Sequence, residues 1–249
     1  MKKNKLLALC VFVSFNLFTS IGLAFVFPDI INGKPVQPGE IYSKYTVGLG
    51  DEELFCSGVI ISDHHILTAA HCQDGLLKGK IYFGTNKSNF EYRNIRAITV
   101  HPDYCKQNNC GTEYSKDDHD ILVVELIGDL PQGYKPITIA AQSELQPGSK
   151  IFLAGFGADE LGKYEDILKV TEVPMDQFNG QSEFRTIETA AGSCSGDSGG
   201  PAFIRKDQQL YLAGLTSRGD GPCRSFGIYT LVDYFSDWIL EIITKPSHD

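Results

Sequence analysis

Residues 193–201 read SCSGDSGGP, and Ser198 within that run is the residue best placed to do chemistry. A serine flanked by glycines has a backbone free to turn sharply and expose its hydroxyl. The N–H groups of Gly196 and Ser198 can then point at one spot, where an oxyanion forms as the hydroxyl attacks a carbonyl. A serine hydroxyl is a weak nucleophile until a base takes its proton. Among six histidines, His71 in LTAAHC is the candidate base. A neutral imidazole needs a third group to fix its tautomer and stabilise its charged form. Asp120 in DDHDILVVEL fits that part, because an aspartate leading into a buried strand is costly to leave unpaired. Asp117 and Asp118 read instead as solvated turn residues, and His65 and His101 as surface or turn residues.

Strands must position these groups. Segments 80–83, 95–100, 121–126, 150–154 and 210–216 are rich in β-branched or aromatic residues and bounded by Gly, Pro, Asn or Asp. No amphipathic helix interrupts them until the end, which favours an all-β barrel or sandwich over alternating α/β. The last segment differs. Tyr234, Phe235, Trp238, Ile239, Ile242 and Ile243 share one face of a helix, and Asp233 can cap its start. A chain of 249 residues, 42 % of them apolar, can bury a sizeable core as one large domain or two small ones. The net charge of −9 leaves no cationic stripe for nucleic acid.

The first 24 residues are set apart: three lysines precede an uncharged apolar run that ends in small residues at Gly22 and Ala24. This reads as a secretory signal peptide cut after Ala24. No later segment is long and apolar enough to span a bilayer, so no membrane contact is expected once the signal is removed. Cys10 leaves with the signal, and six cysteines remain: Cys56, Cys72, Cys105, Cys110, Cys194 and Cys223. An even count in an exported chain suggests three disulfides. Zinc would want paired Cys-x-x-Cys or clustered histidines, which are absent, so no metal or other cofactor is expected. Asn86-Lys87-Ser88 is an N-glycosylation sequon.

GDSGGP together with TAAHC resembles the chymotrypsin (trypsin-like, S1) family of serine endopeptidases. The likeness runs over residues 30–249 through IINGKPV, CSGVIISDHHILTAAHC, VHPDY, DHDILVVEL, AGFG, LAGLTSRG and GIYTLV, in the family's order. It implies two six-stranded antiparallel β-barrels, of about residues 30–135 and 136–232, with a C-terminal helix at about 233–244. It implies His71 as general base, Asp120 as its orienting partner, Ser198 as nucleophile, and Gly196 and Ser198 as oxyanion hole. It pairs Cys56 with Cys72 and Cys194 with Cys223, which leaves Cys105 and Cys110 for each other. Activation would cut a short propeptide, residues 25–29, so that the Ile30 ammonium folds onto Asp197. Asp29 stands where relatives usually offer Arg or Lys, so the activating protease should not be trypsin-like. The expected product is a secreted monomer, extracellular or periplasmic, acting on proteins and peptides.

The substrate pocket falls, by the same resemblance, on Gly192, Ser193, Ser217, Arg218, Gly219 and Gly227. Gly192 matches the floor where trypsins carry an aspartate. A neutral floor between glycine walls would desolvate a large apolar or aromatic side chain, a burial that contributes roughly 1.5–3 kcal/mol. Arg218 offers an alternative: turned inward, it would bind a substrate carboxylate. Arg218-Gly219-Asp220 also spells an adhesion tripeptide, the mark of a non-catalytic binding protein. GDSGG satisfies the G-x-S-x-G elbow of α/β-hydrolases too, but that fold needs its acid and then its histidine after the serine, and only His248 follows Ser198.

Overall fold

A computed structural model describes residues 30–106, 110–159 and 161–245. The expected signal peptide and propeptide, with Cys10 and Asp29, lie outside the described residues, as does His248. The chain enters through the short edge strand β1 (Lys34–Pro35). Then β2 (Thr46–Gly50), β3 (Leu54–Ile60), β4 (His65–Thr68), β5 (Lys80–Phe83), β6 (Glu91–Val100) and β7 (Leu122–Leu126) close a barrel in the order β2–β3–β4–β7–β6–β5. After a short β8 (Thr138–Ile139) come β9 (Lys150–Gly155), β10 (Lys169–Phe178), β11 (Glu183–Ile187), β12 (Pro201–Lys206), β13 (Gln209–Gly219) and β14 (Phe226–Leu231). These six form the second ring, closed where β9 pairs with both β10 and β12. β1 is laid antiparallel on β10 of this second barrel.

Alternation explains why two barrels form and why they adhere. In β7, Leu122, Val124 and Leu126 fill the first barrel, while Val123 faces the apolar layer shared with the second. In β4, Ile66 points in and Leu67 out in the same way. The second barrel is filled by Ile151, Leu153, Val173, Phe184, Ala213 and Leu231. Between the barrels, Tyr45, Val59, Phe156, Phe203 and Leu215 make a third core that also receives Phe235 and Ile239. The two barrels are thus fixed to each other by burial, and a cleft between them holds its shape.

The C-terminal segment begins as a 3-10 turn, Val232–Phe235, and becomes α2 only over Ser236–Ile243, the short helix α1 being Gln73–Leu76. Asp233 does not cap this helix. Its carboxylate accepts the backbone N–H of Gln142 at 2.8 Å, tying the helix entry to the interbarrel loop. His101 is likewise more than a turn residue: its ring stacks on His119 and packs edge-on against Phe235 and Trp238. No helix among the described residues is long and apolar enough to cross a membrane.

Candidate active site

His71 sits in a single 3-10 turn, Ala70–Cys72, at the end of β4. The disulfide Cys56–Cys72 ties that turn to β3. Asp120 immediately precedes Ile121 and β7, and its backbone carbonyl accepts the Thr230 hydroxyl from the second barrel at 2.9 Å. The two side chains meet in a two-point contact. His71 Nδ1 lies 2.7 Å from Asp120 Oδ2, and the His71 backbone N–H donates to Oδ1 at 3.0 Å. A third donor, Ser217 Oγ, reaches Oδ2 at 2.6 Å. Ser217 falls where the β13–β14 register shifts between Thr216 and Arg218, and a bulge of this kind re-aims a side chain. Ser217 was expected in the substrate pocket; it also completes the carboxylate's shell.

With Asp120 accepting on both oxygens, Nδ1 must carry the proton, which leaves Nε2 as the basic edge of a neutral ring. Burial opposes the imidazolium, but the hydrogen bond and charge of Asp120 outweigh it and raise the His71 pKa above its ordinary value. Burial also pushes Asp120 up, yet the His71 hydrogen bond and charge, with Ser217, hold its carboxyl below the usual range.

Ser198 comes from the loop between β11 and β12, and that loop is moored on the first barrel. The Ser198 carbonyl accepts the Ser57 N–H of β3 at 2.8 Å, and Cys72 Sγ lies 3.8 Å from the same oxygen. Ser57 Oγ donates to the Gly196 carbonyl at 3.0 Å. Gly199 then turns at φ +74°, and a Cβ there would stand 1.9 Å from Thr68 Oγ1, so only glycine lets the nucleophile loop close onto β4. Among the described residues no hydrogen bond joins Ser198 Oγ to His71. Such bonds are often loose before substrate arrives. No acceptor among the described residues takes the N–H of Gly196 or Ser198.

Asp197 is fully enclosed. Its carboxylate accepts the N–H groups of Gly157 and Cys194, each at 2.9 Å. Burial, with the nearby Glu188 charge, pushes its pKa up to about 7 against the pull of those two donors and of the Lys169 charge. No cation among the described residues lies within ion-pair distance of it. Ile30 is buried, and the next residue, Ile31, accepts the Gly192 N–H at 3.2 Å, so the start of the described chain is docked on the loop that leads to the nucleophile.

A cavity of about 200 Å³ opens beside Ser198, lined by Ser193, Cys194, Ser217, Gly219 and Cys223. The disulfide Cys194–Cys223 crosses it, and Cys105–Cys110 closes the small loop on the far side of His71. Two expectations about this cavity are corrected. Arg218 does not turn inward to meet substrate: its guanidinium donates to Glu183 at 2.8 and 2.9 Å and to the carbonyls of Thr112 and Ser115, with Asp118 at 3.5 Å. Its side chain is 8 % exposed, so Arg218-Gly219-Asp220 is not displayed as an adhesion tripeptide either. The surroundings of Gly192, moreover, are not free of carboxylate, although Gly192 itself does not line this cavity. Gly192 carries none, but Glu188 packs directly against it.

Asp118 and Asp117 are also not solvated turn residues. Asp118 is buried, taking the Gly111 N–H and the Ser115 hydroxyl at 2.7 Å each. Asp117 accepts the N–H groups of Gln181 and Ser182 at 2.7 and 2.6 Å. Both acids anchor the loop before Asp120 to the second barrel. A larger groove, about 650 Å³, lies between α2 and the first barrel, away from Ser198.

The sequence model of the Trypsin family matches residues 30–239. Over 219 residues the chain is 28 % identical to Trypsin-1 of Astacus astacus, covering 77 % of this chain and 89 % of that one. It is 29 % identical over 245 residues to transmembrane protease serine 9 of Rattus norvegicus, covering 87 % of this chain but 22 % of that protein. It is 25 % identical to mannan-binding lectin serine protease 1 of Homo sapiens, covering 86 % of this chain and 35 % of that one.

Proposed function

The chain belongs to the trypsin family of serine peptidases, and on that premise we propose that it is a secreted endopeptidase acting through an acyl-enzyme on Ser198. The observation that carries this reading is the two-point contact of Asp120 with His71, which leaves His71 Nε2 ready to accept a proton. Ser198 Oγ attacks the scissile carbonyl while Nε2 takes its proton. The developing oxyanion is met by the N–H groups of Gly196 and Ser198. Nε2 then returns the proton to the leaving amine. Water repeats the sequence on the ester and frees Ser198.

Export is supported by the signal-like first 24 residues and by three disulfides, which persist in oxidising compartments. Its partners would be protein and peptide substrates and one activating protease that accepts Asp29, the enzyme itself working as a monomer. Cleavage before Ile30 would bring a new ammonium to Asp197, and the enclosed carboxylate, which has no cation within ion-pair distance among the described residues, supports that reading. Large side chains before the scissile bond would enter the cavity beside Ser198. Gly219, which lines that cavity, supports an apolar preference as one reading.

The test is digestion of a mixed peptide library by the protein cut before Ile30, with new termini mapped by mass spectrometry. Internal cleavage that vanishes in Ser198→Ala is the expected result. Folded, processed protein that cuts nothing would overturn the endopeptidase in favour of a binding protein.

A further inference from the structure

We propose, on the peptidase reading above, that Ser57 is a positioning residue of the active site. Its hydroxyl holds the turn that carries the two oxyanion donors in the conformation that meets the transition state.

The burial of Ser57 is the first observation. Along β3, Cys56 points into the first barrel and Val59 into the apolar layer between the barrels. Alternation puts Ser57 on the Val59 side. It is a polar residue at 0 % exposure, and a hydroxyl so enclosed is costly unless it is hydrogen-bonded. Packing alone would be served by an alanine.

Every polar atom of Ser57 is engaged, and most of its bonds lead to the nucleophile loop or to the segment behind it. The N–H donates to the Ser198 carbonyl at 2.8 Å. The carbonyl accepts the Thr68 hydroxyl at 2.8 Å. Oγ lies 3.0 Å from the Gly196 carbonyl and 3.0 Å from the Phe156 backbone nitrogen. A carbonyl can only accept and a backbone N–H can only donate. The hydroxyl proton is therefore committed to Gly196, and a lone pair to Phe156.

Four consecutive peptide planes run from Ser195 to Gly199. The first carries the Gly196 N–H and the third the Ser198 N–H. These two are anchored through their carbonyls within the second barrel: that of Ser195 accepts the Ala158 N–H at 2.7 Å, and that of Asp197 accepts the Gly200 N–H at 2.8 Å. The second and fourth planes are held from the first barrel by Ser57, through Oγ and N–H. Donor-bearing planes thus alternate with planes that Ser57 holds. Gly196 is the pliable link, at φ +93° and with no side chain to restrain it. Without the hydroxyl its carbonyl loses a partner, and the Gly196–Asp197 plane can swing and carry the flanking N–H groups off the point where the oxyanion forms.

The Phe156 bond closes the circuit. Successive N–H groups of Phe156, Gly157 and Ala158 donate to Ser57 Oγ, the Asp197 carboxylate and the Ser195 carbonyl. One hydroxyl therefore fixes both the turn and the segment against which the turn rests. Gly155 makes room for this arrangement: a Cβ there would lie 3.0 Å from Ser57 Oγ and 2.2 Å from Asp197 Oδ1. Ser57 serves the reaction through these donors, so it acts where charge develops and not on the binding of the ground state.

The experiment uses the protein cut before Ile30 and a peptide substrate found in the library digestion. Ser57→Ala should lower kcat by about 10–10²-fold, part of the 10²–10³ that outright loss of an oxyanion donor costs, with KM changed by less than about threefold. The matching peptide boronate, whose tetrahedral adduct on Ser198 places an oxygen in the oxyanion hole, should weaken by the same factor as kcat/KM. The matching peptide amide, which forms no adduct, should bind as it does to wild type. Ser57→Gly leaves room for a water between Phe156 and Gly196, so it should fold and lose less kcat than Ser57→Ala. A folded variant with wild-type kcat, or one that loses the amide as much as the boronate, overturns this inference alone. Failure of both variants to fold does so too, because it would make Ser57 a residue of the core only. Wild type that neither cleaves nor takes up a fluorophosphonate overturns the peptidase reading and this proposal with it.

Discussion

At the scale of the residue, Asp120 is the fulcrum. It accepts from His71 twice and from Ser217 once, and the same contacts keep it ionised and raise the His71 pKa. Ser198→Ala or His71→Ala should lower kcat by a factor on the order of 10⁶, as in a triad protease of another fold. Asp120→Asn should cost about 10⁴, because an amide can present the wrong group to Nδ1. Normal activity in Asp120→Asn with loss in Asp117→Asn would reassign the acid. Catalysis needs neutral His71, and a raised pKa means the ring protonates earlier as pH falls. The acid limb of kcat/KM should therefore lie above the ordinary histidine value of 6.5 and move down in Asp120→Asn. A limb unmoved by that change would deny the coupling. Ser198, His71 and Asp120 were legible because each sits in a short run whose local chemistry is distinctive. Glu188 gave no such signal: its carboxylate packs against Gly192, four positions on, and against Gly227, 39 positions on, a contact that no local pattern carries. Arg218 was misread because its acids, Glu183 and Asp118, are 35 and 100 positions away in the chain.

At the scale of the element, Arg218 fastens β13 to β11 and to the loop before Asp120. Removing it leaves Glu183 and Asp118 buried without their cation, a loss of about 3–5 kcal/mol. Thermal unfolding of Arg218→Ala should fall by roughly 10 °C for a domain of this size. A fall of a degree or two would show the network to be ornamental to stability. The disulfides rank by the loops they close. Cys194–Cys223 spans 29 positions and Cys105–Cys110 spans 5, so opening the latter should cost about 1.5 kcal/mol less by chain entropy. Denaturant unfolding of the paired alanine variants reads this directly, and the reverse order would contradict it. The strands were legible from β-branched runs bounded by turn residues, and β5 falls on the segment expected. The helix began late because Asp233 bonds to Gln142, a contact across 91 positions that periodicity does not carry.

At the scale of the whole molecule, two barrels, each with its own core, are joined by a third between them, and the entering chain connects that frame to the active loop. Ile30 is held at φ +44°, a conformation costly for a β-branched residue, and hydrolysis before it would release that constraint. Asp197 links the same event to pH. Burial raises its folded pKa to about 7, so the uncut folded chain holds a proton that the unfolded chain has already lost. Stability of the uncut chain should accordingly fall as pH rises from the ordinary aspartate range toward neutrality, by on the order of 4 kcal/mol if this group acted alone. Asp197→Asn should flatten that slope in denaturant titrations, and an unchanged slope would deny the link. After cutting, an ion pair with the new ammonium would lower the pKa again and remove the loss.

The most direct test of the central claim is mechanism-based labelling of the nucleophile. Protein cut before Ile30 is treated with a fluorophosphonate, digested and mapped by mass spectrometry. The account predicts one adduct, on Ser198, absent in Ser198→Ala and nearly absent in His71→Ala. An adduct on a different residue, or none on folded and processed protein, would contradict it.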